Sequence, residues 1–272
     1  MTILQAFILG IVQGLTEFLP ISSSAHLVII PAIFQWVIPE QQAFIFDVLV
    51  QLGTLLAVIV YFWRDLLSIV KAVFQGLKEK KPMASPQSRL GWYIVLATIP
   101  AGILGLLIKD QVEQAFNSTL AVGIFLLITA ALLTIGEYFG KRTRSLEQIT
   151  WLDALVIGLF QAISIFPGIS RSGSTISGGM LRSINRPSAA RFSFLMSIPI
   201  MLAAGVLALK DLTQISGFAS QVPTLLIGFI TAAVVGYFAI RWLLGYLSHR
   251  SLYVFAIYCL IVGSLTILLS LL

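Results

Sequence analysis

Glu17 lies one helical turn after Gln13, and a run of three serines, Ser22, Ser23 and Ser24, separates it from His26. Residues four apart share a helix face, so Gln13 and Glu17 project together. Such a pair can hold a divalent cation through oxygen or activate a hydroxyl or water, and His26 can move a proton near neutral pH. A second polar cluster joins Ser170, Arg171, Ser172, Gly173 and Thr175. Hydroxyls ahead of a helix N-terminus, a glycine that admits close backbone approach and an arginine fork suit an anion bearing phosphate. An acid, an imidazole, hydroxyls and an arginine together supply the roles of phosphoryl transfer.

Each cluster follows a glutamine on an apolar helix and a proline, Gln13 with Pro20 and Gln161 with Pro167. Proline interrupts each helix after about 22 to 24 Å at 1.5 Å per residue, short of a bilayer. Residues 3–18 and 152–166 therefore read as half-crossings. Shorter helices follow near 23–33 and 172–181. The simplest geometry is a pair of re-entrant hairpins that turn at the serines.

The rest of the chain sets where those clusters lie. It is 58% hydrophobic and 10% charged over 272 residues, which excludes an ordinary soluble domain, where about a quarter of residues are charged. The expected fold is an all-α polytopic membrane protein. Six apolar runs are long enough to span: 46–66, 91–109, 118–139, 190–209, 223–245 and 252–272. Polar groups at membrane depth are costly, which makes the two clusters functional candidates. No Lys or Arg precedes Arg64, so the N-terminal run lacks the basic start of a signal peptide and is expected to be retained. The lone Cys259 excludes a disulfide framework and reads as a packing or lipid-facing residue.

With six spans and two re-entrant hairpins, fourteen of the 17 Lys and Arg fall on one side, in segments 64–90, 140–150, 182–191 and 241–250. Only Lys109 and Lys210 fall opposite, and Arg171 lies in the second cluster. The positive-inside rule makes the basic side cytoplasmic and puts both termini and the site opening outside. Trp63, Trp92, Trp151 and Trp242 fall near its membrane boundary, as interfacial anchors do. This topology accounts for the net charge of +6 without nucleic acid. The two hairpins then enter from opposite sides. The chain reads as one membrane domain, residues 1–272, made of inverted halves at about 1–140 and 150–272, echoed by Ile99-Pro100 before Lys109-Asp110 and Ile198-Pro199 before Lys210-Asp211. Inverted repeats with broken helices place a site near the midplane, where the tips meet. Asp47 and Gln51 stand where they can line its entrance or pack helices, and His249 reads as interfacial. Because transporters share this architecture, a flippase or transporter for an anionic lipid is the competing function.

The run from Gln13 through Glu17-Phe18-Leu19-Pro20 to Ser22-Ser23, and Pro167-Gly168 followed by Ser170-Arg171-Ser172-Gly173 and Thr175, resemble the two signatures of the bacterial undecaprenyl-diphosphate phosphatases of the bacitracin-resistance type. The resemblance covers essentially the whole chain. Gln13 stands where many members carry glutamate, and Ser24 and Ala25 where threonine and glycine are common. The resemblance implies hydrolysis of undecaprenyl diphosphate in the bacterial cytoplasmic membrane, recycling the lipid carrier of cell-wall synthesis. It implies a site with Gln13, Glu17, His26, Ser22, Ser23 and Ser24 on one side and Ser170, Arg171, Ser172, Gly173 and Thr175 on the other. A divalent cation, Mg²⁺ or Ca²⁺, would sit on Glu17 and Gln13. Arg171 and the helix N-termini would hold the diphosphate, Glu17 would activate Ser23 or a water, and His26 would protonate the leaving group or assist the base. Expected partners are the polyprenyl diphosphate and membrane lipid. A homodimer is compatible with such a fold, and nucleic acid is not expected.

Overall fold

The computed structural model describes residues 1–116, 118–212 and 218–271. The side chains of Lys109 and Lys210, expected opposite the basic side, and the terminal residue of the last apolar run lie outside the described residues. Among the described residues the chain is all helix: α1 (Ile3–Thr16), α2 (Ser23–Ile33), α3 (Glu40–Tyr61), α4 (Trp63–Lys78), α5 (Pro86–Leu107), α6 (Lys109–Phe116), α7 (Thr119–Phe139), α8 (Trp151–Ile163), α9 (Arg171–Leu181), α10 (Arg186–Leu212), α11 (Phe218–Leu247) and α12 (Tyr253–Leu271). Within α3, α5, α7, α10, α11 and α12 lie six stretches long and apolar enough to cross a membrane, which makes this a multi-pass membrane protein.

Local chemistry sets the boundaries. Thr2 caps α1 by accepting the Gln5 N–H while the Gln5 side chain reaches back to the Thr2 N–H, and Thr150 with Asp153 builds the same box on α8. Neither helix reaches far: 14 and 13 residues give about 20 Å each. After α1 the chain turns through Pro20, and Ser22, at φ 70°, starts α2 by accepting the Ala25 N–H on its hydroxyl. After α8 it turns through Pro167 and Gly168, and Ser170 caps α9 through the Gly173 N–H. α9 then folds back along α8, with Gly178 against the Phe160 ring and Gly179 near Ile157.

Two expectations about the connections need correction. The span expected at 46–66 is present but shifted: α3 begins at Glu40 and ends at Tyr61, where Phe62 (φ −97°, ψ 18°) leaves helical geometry and α4 begins. The connecting segment 64–90 is therefore largely helical, as is 109–116. Hydropathy detects the oily centre of a helix and passes over amphipathic ones. For the same reason α10 begins at Arg186, inside a segment read as connecting.

The bundle pairs α1 with α11, α11 with α3, α8 with α5, and α7 with α12. Close crossings rest on small residues, as is usual where lipid offers no hydrophobic drive between helices. A Cβ at Gly10 would come within 2.8 Å of the Gly228 carbonyl on α11, and one at Gly158 within 2.6 Å of the Ala97 carbonyl on α5. Phe18 and Phe194 meet edge to face at 5.4 Å in the central core. Two buried carboxylates tie the basic end together. Glu137 accepts from Arg142, Arg186 and the Leu252 N–H, and Asp153 from Arg144 at 2.6 Å and Arg182 at 2.7 Å. Cys259 is fully buried and packs inside the bundle.

Candidate active site

The two tips that interrupt α1–α2 and α8–α9 meet. The Gly168 N–H donates to Ser24 Oγ at 3.4 Å, and the Ser172 hydroxyl donates to the Leu19 carbonyl at 3.2 Å. Thr129 on α7 fixes the second tip from behind: its hydroxyl accepts the Ser170 N–H at 2.9 Å and donates to the Gly168 carbonyl at 2.8 Å. Gly168 sits at φ 106°, where a Cβ would also lie 2.6 Å from the Val122 carbonyl, so glycine is required there. Cys259 does the corresponding job at the first tip, its thiol 3.7 Å from the Pro20 carbonyl.

At the junction lies a cavity of about 280 Å³. Its polar wall carries Glu17, Ser22, Ser23 and Ser24 from the first tip and Ser170 and Arg171 from the second, with Thr16, Gln51, Gln161 and Ser164 beside them. Ile200, Met201 and Ala204 of α10 and Ala101 and Gly105 of α5 form an apolar flank. Head and flank match an amphiphile with a polar end.

Glu17 is the hub. Its Oε1 accepts from Arg171 Nη2 at 2.8 Å, and its Oε2 accepts from Gln13 Nε2 at 2.9 Å and from the Ser23 hydroxyl at 2.6 Å. The Glu17 and Arg171 side chains are only 9% and 15% exposed, so this ion pair is largely shielded from water. Two polar atoms beside it are buried without a hydrogen-bond partner, Arg171 Nη1 and Gln13 Oε1. An unpaired buried guanidinium N–H costs several times an ordinary hydrogen bond, a cost that an anionic oxygen placed beside it would remove. A serine hydroxyl donating to a carboxylate is arranged for proton transfer to that carboxylate.

The structure brings together Gln13, Glu17, Ser23 and Arg171, with Ser22, Ser24 and Ser170 alongside. Other predicted site residues stand off the cavity wall. His26 is buried: its Nδ1 lies 2.7 Å from the Ser22 carbonyl, which can only accept, so Nδ1 carries a proton, and Nε2 is hydrogen-bonded to the Tyr258 hydroxyl at 2.7 Å. Both nitrogens are thus committed away from Glu17. Thr175 donates to the Arg171 carbonyl at 2.7 Å and pairs with Ser193, and the Gly173 N–H is taken by the Ser170 cap. Ser172 bridges to the first tip. Gln51 lines the cavity and Asp47 does not. Thr54, Thr129 and Tyr258, single polar residues in apolar spans, carry no signal in the sequence. Gln161 does, because it occupies in the second tip the place of Gln13 in the first.

Fold and site define a helical integral membrane protein with an anion-receptive cleft between two interrupted helices. Residues 6–265 match the family of the bacitracin resistance protein BacA. The chain is 45% identical to an undecaprenyl-diphosphatase of Chlorobium phaeovibrioides, over 99% of its own length and 97% of the relative's. Proteins of the same name from Methanosphaera stadtmanae, at 41% over 98% of each chain, and from a Mycobacterium species, at 40% over 99% and 97%, are similarly related. The chain belongs to the BacA family.

Proposed function

We propose that this protein hydrolyses undecaprenyl diphosphate to undecaprenyl phosphate and inorganic phosphate, returning the lipid carrier to cell-wall synthesis. One observation carries the reading: Glu17 accepts the Ser23 hydroxyl while paired to Arg171, whose second terminal nitrogen is buried and free. Arg171 Nη1 takes an oxygen of the terminal phosphate. Glu17 accepts the Ser23 proton as Ser23 Oγ attacks the terminal phosphorus. The anhydride P–O bond breaks, undecaprenyl phosphate departs, and the phosphate remains on Ser23. Glu17 then passes that proton to the departing lipid phosphate, takes one from a water as the water attacks the phosphorus, and returns it to Ser23 Oγ as the Oγ–P bond breaks, releasing inorganic phosphate. His26 acts as a positioning residue, holding the Ser22 carbonyl at the strained start of α2.

A divalent cation, Mg²⁺ or Ca²⁺, would have one carboxylate and one amide oxygen at the same corner, since no three His, Cys, Asp or Glu converge among the described residues. Gln13 Oε1 and Glu17 would hold it through oxygen, with substrate phosphates completing the shell. When bound, it supplies positive charge to the diphosphate oxygens.

The same proposal includes the topology: two re-entrant hairpins in inverted halves, about 1–140 and 150–272, with termini and cavity facing outward and the basic ends in the cytoplasm of the bacterial inner membrane. A constant offset of 148 residues supports the repeat. It relates Thr2 to Thr150 and Ser22 to Ser170 as caps, Gly10 to Gly158 at helix crossings, and the Pro20 carbonyl to that of Gly168, each held by one side chain from a span. The pairing of α1 with α11 is mirrored by that of α8 with α5.

A flippase for the same lipid has no use for a serine poised on a carboxylate. Phosphate release in detergent, where no second compartment exists, separates the two: the phosphatase releases it and transport alone releases none.

A further inference from the structure

We infer that α4 lies in the membrane–water interface on the basic side and binds the phosphates of anionic lipids there. Its 16 residues divide the helix circumference into four arcs at about 100° per residue. One arc, with Ile69 and Gly76, is buried, and Ile69 and Val73 pack against Gly91 of α5. The next carries Trp63, Leu67, Val70, Phe74 and Leu77, all apolar and 39 to 69% exposed. Beside it runs Arg64, Lys71 and Lys78, each exposed and seven residues apart. Gln75 and Ser68 close the circle on the polar side.

That order fits a helix lying at the boundary of a bilayer. The apolar arc faces hydrocarbon, the basic row stands at the level of the phosphates, and the polar arc faces water. Lys and Arg stems reach along the apolar arc while their charges stay among the headgroups. Charge decides the occupant. Arg64, Lys71 and Lys78 make no ion pair among the described residues, and Lys80 and Lys81 extend the row beyond the helix. The two nearby acids are engaged elsewhere: Asp65 accepts from Arg191 at 2.7 Å, and Glu79 from Gln75 at 2.8 Å. A zwitterionic headgroup offers this row no net charge, whereas an anionic one does.

The test uses the full-length protein in detergent, titrated with phosphatidylglycerol and with phosphatidylcholine, bound lipid being counted by native mass spectrometry. The wild type should favour phosphatidylglycerol by at least about fivefold, the factor expected of a single basic residue at a charged surface. R64Q/K71Q/K78Q, altered only at exposed positions, should lose most of that preference. A nitroxide on F74C, in a background where Cys259 is replaced, should meet oxygen more readily than a water-soluble nickel complex in phosphatidylglycerol bilayers, and one on S68C the reverse. An undiminished preference in the triple variant, or equal nickel access at both sites, overturns the proposal.

Discussion

Arg171 pairs with Glu17 through Nη2 while its Nη1 is buried without a partner, and in the proposed mechanism the first neutralises the carboxylate and the second takes a phosphate oxygen. Lysine can do one of them. Arg171→Lys should lower kcat/KM for the lipid diphosphate by about 10² while the protein stays folded, because a point charge replaces a fork at a shielded site. Steady-state phosphate release measures it, and wild-type kinetics would reduce the arginine to general charge attraction. His26 separates two roles. If it only holds the Ser22 carbonyl, His26→Gln keeps a donor near that carbonyl, and activity should fall by about tenfold or less with the pH–rate profile unmoved. Proton transfer by a group such as His26 contributes roughly 10² to 10⁴. A loss of that size, with one limb of the profile removed, would return His26 to the chemistry.

Among the elements, the interrupted helices matter most, since each tip is held by residues it does not contain. Thr129→Val keeps the volume but leaves the Ser170 N–H and Gly168 carbonyl unpaired, at a cost of about 1–3 kcal/mol each if they stay buried. Thermal melting in detergent should show a clear fall, with kcat reduced because Arg171 directly follows Ser170. Gly168→Ala should be at least as damaging, given its positive φ and the nearby Val122 carbonyl. The sequence announced the tips through proline, serine and glutamine, because polar residues at membrane depth stand out. It did not announce their supports: Thr54, which accepts from Gln13 Nε2 at 3.5 Å, Thr129 and Tyr258 each look like an ordinary polar residue in a span, and only tertiary contact gives them a partner. Likewise α4 carries its meaning in helical phase, which a hydropathy window averages away. His26 was legible as a group able to move a proton near the serines, yet where its ring points depends on α12, more than 200 residues distant.

At the scale of the molecule, charge sorting separated the two sides, but the structure divides the basic residues into two kinds. Arg142, Arg144, Arg182 and Arg186 clamp Glu137 and Asp153, and Arg191 meets Asp65, so part of the basic bias holds the fold together. Arg64, Lys71, Lys78, Lys80 and Lys81 make no ion pair among the described residues and, in the proposed topology, set orientation. Because Cys259 is buried and the only cysteine, single-cysteine labelling is clean. A membrane-impermeant maleimide should label Gln35→Cys in intact cells and Lys80→Cys only after permeabilisation. The reverse pattern would invert the proposed topology.

The central claim is that Glu17, gripped by Arg171, activates a hydroxyl for attack on a lipid diphosphate. Release of inorganic phosphate from undecaprenyl diphosphate in detergent, measured for the wild type beside Glu17→Gln, tests it most directly. The glutamine variant keeps the shape of the site and loses the base. The wild type should release phosphate, and Glu17→Gln should be slower by about 10³ or more. Comparable rates from the two proteins, or none from the wild type, would contradict the account.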